Sequence, residues 1–166
     1  MPQVFIVCGP PAAGKTTHGR KLAAQHNAVF LDIDTVTETM VRAALTASGR
    51  NPNDRDSPWF KSHFRQPIYD TLFTIAAENK SNCNVVLVGP FTREILDPNW
   101  PDWLTQRLNA QVEIHYVTCP PELRHKRMIE RGEPRDLPKL QDWDRFLTYY
   151  GDEAPPVFEH VLIEAI

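Results

Sequence analysis

The sequence predicts a three-layer α/β fold, a five-stranded parallel sheet with helices on both faces. Three observations carry this prediction. Short apolar runs alternate with helical patterns from one end of the chain to the other. The runs are continuously apolar, as strands buried on both faces require. A glycine-containing turn joins the first run directly to a helical stretch.

Residues 4–8 form the first apolar run, and a helical stretch follows from 14 to about 26. Residues 28–33 make a second strand. Val36, Met40, Val41, Ala44 and Leu45 then recur at helical spacing. Ser57-Pro58 reads as an N-cap followed by proline at the first helical position. Beyond it Phe60, Phe64, Ile68, Leu72, Ile75 and Ala76 make a long amphipathic face, which Pro67 is expected to kink or split. Strands are expected at 85–88, 112–117 and 157–163, and helices at 120–131 and 139–150. Residues 48–57 and 132–138 are polar and broken, and are expected to be loops of the kind that grip substrates. With no repeat and no low-complexity tract, the chain reads as a single domain over 1–166. Its expected acceptor-binding insertion lies at about 40–66 and its lid at about 127–138.

A chain of 166 residues with 42% hydrophobic and 23% charged residues is ordinary for a soluble globular domain. The formal net charge of −3 disfavours nucleic acid as the main partner, because backbone phosphates demand clustered Lys and Arg. A local basic groove stays open. No apolar stretch approaches the ~20 residues a membrane span needs. Cys8, Cys83 and Cys119 are odd in number and widely spaced, which suits reduced thiols in a cytoplasmic protein. The six histidines show no metal-ligand spacing.

Gly9-Pro10-Pro11-Ala12-Ala13-Gly14-Lys15-Thr16 fits the Walker A pattern G-x-x-x-x-G-K-[ST] without deviation. The glycines let the backbone fold into a nest of inward-pointing N–H groups, and the following helix turns its positive end to the same anion. Lys15 can reach the β- and γ-phosphates of ATP, and the Thr16 hydroxyl can ligate Mg²⁺. Thr17 completes the set of nucleotide contacts. A chance match in a chain this long is on the order of 1 in 100 or less.

Other signatures are missing. The nearest string to the guanine-reading Asn-Lys-x-Asp is Asn79-Lys80-Ser81-Asn82, and there is no Asp-x-x-Gly switch. The third strand runs Val85-Val86-Leu87-Val88-Gly89-Pro90, without the acid that motor and AAA-type ATPases usually place there. Two constellations point instead to a small-molecule kinase. The second strand ends Leu31-Asp32-Ile33-Asp34, and strand alternation is expected to set both carboxylates on one face. Asp32 is expected to hold a water on Mg²⁺ and Asp34 to receive the acceptor's hydroxyl proton. The alternative is that Asp34 caps a helix beginning near Thr35. Further on, Arg127 and Arg131 lie four apart on one helical face, Gly132 ends the helix, and Arg135 follows in a loop. These arginines are expected to neutralise charge during phosphoryl transfer. The alternative is a solvated basic face paired with Glu122 and Glu130.

In these motifs the chain resembles the shikimate-kinase and gluconate-kinase group of P-loop kinases, and it is similar to polynucleotide 5′-kinases and antibiotic phosphotransferases. Asp32-Ile33-Asp34 resembles the D-x-D of shikimate kinases, and Arg127 to Gly132 resembles the polynucleotide-kinase lid. The resemblance implies a three-layer P-loop NTPase fold with an Arg-bearing lid. It also implies ATP and Mg²⁺ at Lys15 and Thr16, an acceptor hydroxyl at Asp34, and lid roles for Arg127 and Arg131. The chain departs from shikimate kinases at Gly89-Pro90-Phe91-Thr92-Arg93, where they carry three glycines. It departs from polynucleotide kinases at Thr35, where they commonly carry arginine. Arg55, Asp56, Trp59, Phe60 and Arg65 fall where this group builds its acceptor site, and Arg93 and Arg135 are further candidate substrate ligands. The four tryptophans and Phe60 read as packing. The expectation is transfer of the ATP γ-phosphoryl to a hydroxyl of a small molecule. A polynucleotide or nucleoside 5′-hydroxyl kinase and a non-kinase ATP-binding regulatory or toxin-like protein are the alternatives.

Overall fold

Alternation along continuous apolar strands sends side chains to two faces, and each face needs its own cover. The strands are Gln3–Cys8 (β1), Ala28–Asp32 (β2), Asn84–Val88 (β3), Gln111–Thr118 (β4) and Val161–Glu164 (β5). The computed structural model describes residues 2–149 and 154–165. In it the strands stand in the order β2-β3-β1-β4-β5, and every neighbouring pair is parallel. On one face Phe5, Val7, Val86, Val88 and Val117 pack against Leu22 of the helix Lys15–Gln25 (α1) and Leu123 of the helix Pro121–Arg131 (α5). On the other, Val4, Ile6, Leu87, Ile114 and Tyr116 meet Tyr69, Leu72, Phe73 and Ala76 of the helix Pro58–Asn79 (α3). Trp100, Leu104 and Leu108 of the helix Trp100–Leu108 (α4) complete that layer. The predicted three-layer architecture is therefore the observed one.

Close approach of α1 to the sheet depends on Gly19. A Cβ there meets Val88 Cγ2 at 2.6 Å and Phe30 at 3.0 Å. Overpacking of this kind costs about 1–3 kcal/mol, more than the helical preference of alanine over glycine, about 1 kcal/mol, returns. Gly19→Ala is accordingly expected to lower the denaturant midpoint, and a midpoint equal to that of the parent in guanidinium titration would contradict the packing described.

The helix Ile33–Ala47 (α2) begins one residue inside the strand expected over 28–33. Asp32 is its N-cap, accepting from the Asp34 backbone N–H at 3.0 Å. Ser57 caps α3 as expected, accepting from the Phe60 N–H at 3.0 Å. That helix runs unbroken through Pro67, because buried side chains on both sides of the proline, Phe60 before it and Tyr69 and Leu72 after it, hold its two halves in place. The helix expected over 139–150 is instead two short ones, Leu137–Gln141 (α6) and Trp143–Tyr149 (α7), broken at the non-helical Asp142. Tyr150 lies outside the described residues. The strand expected from 157 starts at Val161, since the Val157 N–H is taken by the carbonyl of Ile95, in the 3₁₀ turn Glu94–Leu96. Helix α4 was not anticipated. Cys8 and Cys119 are buried, Cys83 is half-buried, and all three are free thiols. Among the described residues no helix is long and apolar enough to cross a membrane, and no cluster of His, Cys, Asp or Glu is arranged for a metal.

Candidate active site

The carboxyl ends of β1, β2 and β3 open into one cavity of about 480 Å³. Below it lies the loop between β1 and α1. Gly9 has φ +133°, and a Cβ there would stand 2.1 Å from the Val117 carbonyl oxygen of β4, so only glycine lets the loop leave the sheet at this point. Ala12 and Gly14 also take positive φ, of 61° and 107°. The turn brings the loop's backbone to the N-terminus of α1, where no side chain caps the helix.

Lys15 Nζ donates to the Pro10 carbonyl at 2.7 Å. Its ammonium lies deep although the residue as a whole is partly exposed, and burial lowers its pKa to about 8 against the opposing pull of Asp34 and Asp32. An anion beside this amine restores the charge that burial disfavours. Thr16 Oγ1 donates to Asp32 Oδ2 at 2.7 Å. A hydroxyl and a buried carboxylate side by side, next to a phosphate-seeking loop, are the donor set a hard cation such as Mg²⁺ accepts. The residues present therefore fit Mg²⁺ with a nucleotide.

Asp34 lines the cavity from the first turn of α2, with its side chain 54% exposed. Strand alternation is thus not what sets the two carboxylates near each other. Asp32 ends the strand and caps the helix, and Asp34 follows on the helix. The capping alternative falls to Asp32, leaving the carboxylate of Asp34 in the cavity. Arg135 Nη2 donates to it at 2.9 Å, and Arg135 Nη1 stands 3.7 Å from Glu38. Arg55 pairs with Glu38 at 2.9 Å, Arg65 with Glu94 at 2.7 Å, and Lys139 with Asp56 at 2.7 Å.

Arg127 and Arg131 both reach the cavity from α5 but do different things. Arg127 Nη1 lies against the phosphate loop, donating to the carbonyls of Ala12 at 3.3 Å and Ala13 at 3.4 Å. Arg131 is held by Asp136, which is 2% exposed. Neither pairs with Glu122 or Glu130 among the described residues. The solvated partner of Glu130 is Lys126, at 3.8 Å.

The structure brings Lys15, Thr16, Thr17, Asp32, Asp34, Arg55, Arg65, Arg127, Arg131 and Arg135 to one cavity. It does not bring Arg93, which is exposed at the head of the 3₁₀ turn Glu94–Leu96. Phe60 does both jobs left open for it, packing with Val41 and Leu45 and lining the cavity. No tryptophan among the described residues lines it; Trp59 stacks on His63 instead, at 4.3 Å. Asp136, Lys61 and Lys139 escaped sequence reading. In all, eight cationic and five acidic side chains line the cavity, in a chain of net charge −3.

A parallel five-stranded sheet with a Walker A loop after its first strand and arginines over the same cavity defines the class of P-loop kinase-like domains. The chain belongs to the family described as "AAA domain", whose profile matches residues 4–152. The missing acid after β3, which disfavours AAA-type ATPases, does not place the chain outside a family so described. The chain is 26% identical over 165 residues to a cytidylate kinase of Bradyrhizobium sp. (strain ORS 278), over 80% of this chain and 71% of that protein. A provisionally assigned kinase from Chloroflexus aurantiacus superposes with a TM-score of 0.64 at 21% identity, over 99% of this chain and 84% of that one. Shikimate kinase from Bacteroides thetaiotaomicron superposes with a TM-score of 0.55 at 19% identity, over 99% and 86%. These superpositions establish a shared fold, and the resemblance to P-loop small-molecule kinases is borne out.

Proposed function

We propose that the protein is an ATP-dependent phosphotransferase that moves the γ-phosphoryl group to a hydroxyl of a small molecule. The observation that carries this reading is one cavity with the phosphate loop and Lys15 on its floor and Asp34 on its wall. The proposed unit is a single domain over 1–166, with an acceptor-binding insertion at about 40–66 and a lid at about 127–138.

Loop amides from Gly9 to Thr16 and the Lys15 ammonium bind the phosphates. Thr16 and Asp32 would hold Mg²⁺, which when bound neutralises charge on the phosphate oxygens. Asp34 takes the proton of the acceptor hydroxyl, and with that hydroxyl in place Arg135 is released from the carboxylate. Arg131 faces the charge that spreads over the transferring group, and Arg127 secures the loop side of the nucleotide. Arg55 and Arg65, with Lys61 and Lys139, surround the acceptor. The free thiols support a cytoplasmic setting.

The test is a thermal-shift and transfer screen of sugars, nucleosides and antibiotics with Mg²⁺ and a non-hydrolysable ATP analogue, then with ATP. The cytidylate kinase relative adds nucleoside monophosphates to the panel. The expected result is stabilisation by the nucleotide, deepened by one class of acceptor, and phosphorylation of that class. Calorimetry that finds no binding of Mg·ATP would overturn the reading. Competent nucleotide binding with no transfer to any acceptor would favour the regulatory alternative.

A further inference from the structure

Arg131 is the last residue of α5. Gly132, at φ +60°, turns the chain, and the 3₁₀ turn Pro134–Asp136 carries a carboxylate back beneath the guanidinium. Arg131 Nε donates to Asp136 Oδ2 at 2.5 Å and Nη2 to Oδ1 at 2.8 Å, a two-pronged pair. The carboxylate is buried while the Arg131 side chain stays 36% exposed. Glu133, nearer in sequence, points to solvent. A buried carboxylate needs a partner, because an unpaired one costs several kcal/mol. A loop held only for shape can use an exposed pair instead. The pairing occupies Nε and Nη2 and leaves Nη1, which has no hydrogen bond among the described residues. Arg131 is also close enough to Lys15 to oppose its charge. Two cations that line one cavity and repel each other mark the place of an anion.

We infer that Asp136 is a positioning residue that fixes the Arg131 guanidinium on the terminal phosphate of the bound nucleotide. This rests on the phosphotransferase reading above. The function of the pair is to aim one charge. Without Asp136 the arginine keeps its charge and loses its direction, so the nucleoside diphosphate, which offers no terminal phosphate, binds as before.

The experiment needs no acceptor. Calorimetry with Mg²⁺ gives the ratio of affinities for a non-hydrolysable ATP analogue and for ADP, in the parent, Arg131→Gln, Asp136→Asn, Asp136→Ser and Asp136→Glu, with a melting curve for each. Arg131→Gln is expected to reduce the ratio about tenfold or more, the contribution of one charged hydrogen bond. Asp136→Asn and Asp136→Ser are expected to lose most of the same factor with ADP affinity unchanged, and Asp136→Glu to recover part of it. A purely structural Asp136 would lower the melting temperature and leave the ratio alone. A folded Asp136→Asn or Asp136→Ser protein with the parental ratio, beside an Arg131→Gln protein that has lost it, overturns the inference and leaves the kinase reading standing. A parental ratio in Arg131→Gln removes Arg131 from the terminal phosphate, and the inference falls with it. Failure of the parent to bind either nucleotide overturns the kinase reading itself.

Discussion

Lys15→Ala is expected to abolish nucleotide-dependent transfer and to weaken Mg·ATP binding about ten- to a hundredfold, the contribution of a charged hydrogen bond removed from a phosphate. The same change should leave the melting temperature unchanged or raise it. The ammonium lies deep with the Pro10 carbonyl as its one hydrogen-bond partner among the described residues, and burial pulls its pKa down to about 8 despite the nearby Asp34 and Asp32 carboxylates. Such a group is a burden on the free protein, retained for what it does to a bound anion. Opposite movements of affinity and stability separate this role from a structural one. Parental Mg·ATP affinity in Lys15→Ala would remove the floor of the proposed site.

Asp34→Asn should behave differently, keeping nucleotide affinity and losing transfer by about 10²–10⁴-fold, the range a positioned general base supplies. The carboxylate stands on α2 and takes no part in the Thr16–Asp32 hydrogen bond. An amide of the same shape still meets Arg135 but cannot take a proton. The comparison calls for a titration with the ATP analogue beside transfer rates on an acceptor found by screening. Transfer at the parental rate in Asp34→Asn would remove Asp34 from the chemistry.

Much of this arrangement was legible before the fold was known, because its strongest signals are local. The Walker A loop is eight consecutive residues whose geometry follows from glycine and a helix start, and the strands were readable as continuous apolar runs. Errors gathered where local and distant forces compete. Asp32-Ile33-Asp34 fits the two-residue period of a strand, yet the Asp32 side chain finds the Asp34 N–H and starts the helix at Ile33, inside the expected strand. Helix α4 escaped notice because Pro98 and Pro101 punctuate its start. Its apolar stripe is only Trp100, Leu104 and Leu108, which the other face of the sheet completes. Arg93 looked well placed at a strand end. The buried Phe91, stacked on Tyr69 at 5.0 Å, carries the chain toward the core, and Arg93 is left on the solvent side. Asp136 gave no signal, since an acid five residues beyond an arginine acquires meaning only when a glycine turn folds the two together.

The mixture of charges around the cavity acts beyond the atoms that touch a ligand. Its lining holds a surplus of cations while the remainder of the chain is acidic, so the molecule presents a positive mouth in a negative body. Field lines crowd into such a concavity, and a polyphosphate is drawn toward it before any contact forms. Added salt shortens that reach to about 10 Å at 0.1 M. Bulk acidity repels a long polyanion, which spans both signs of the surface, more than a compact one.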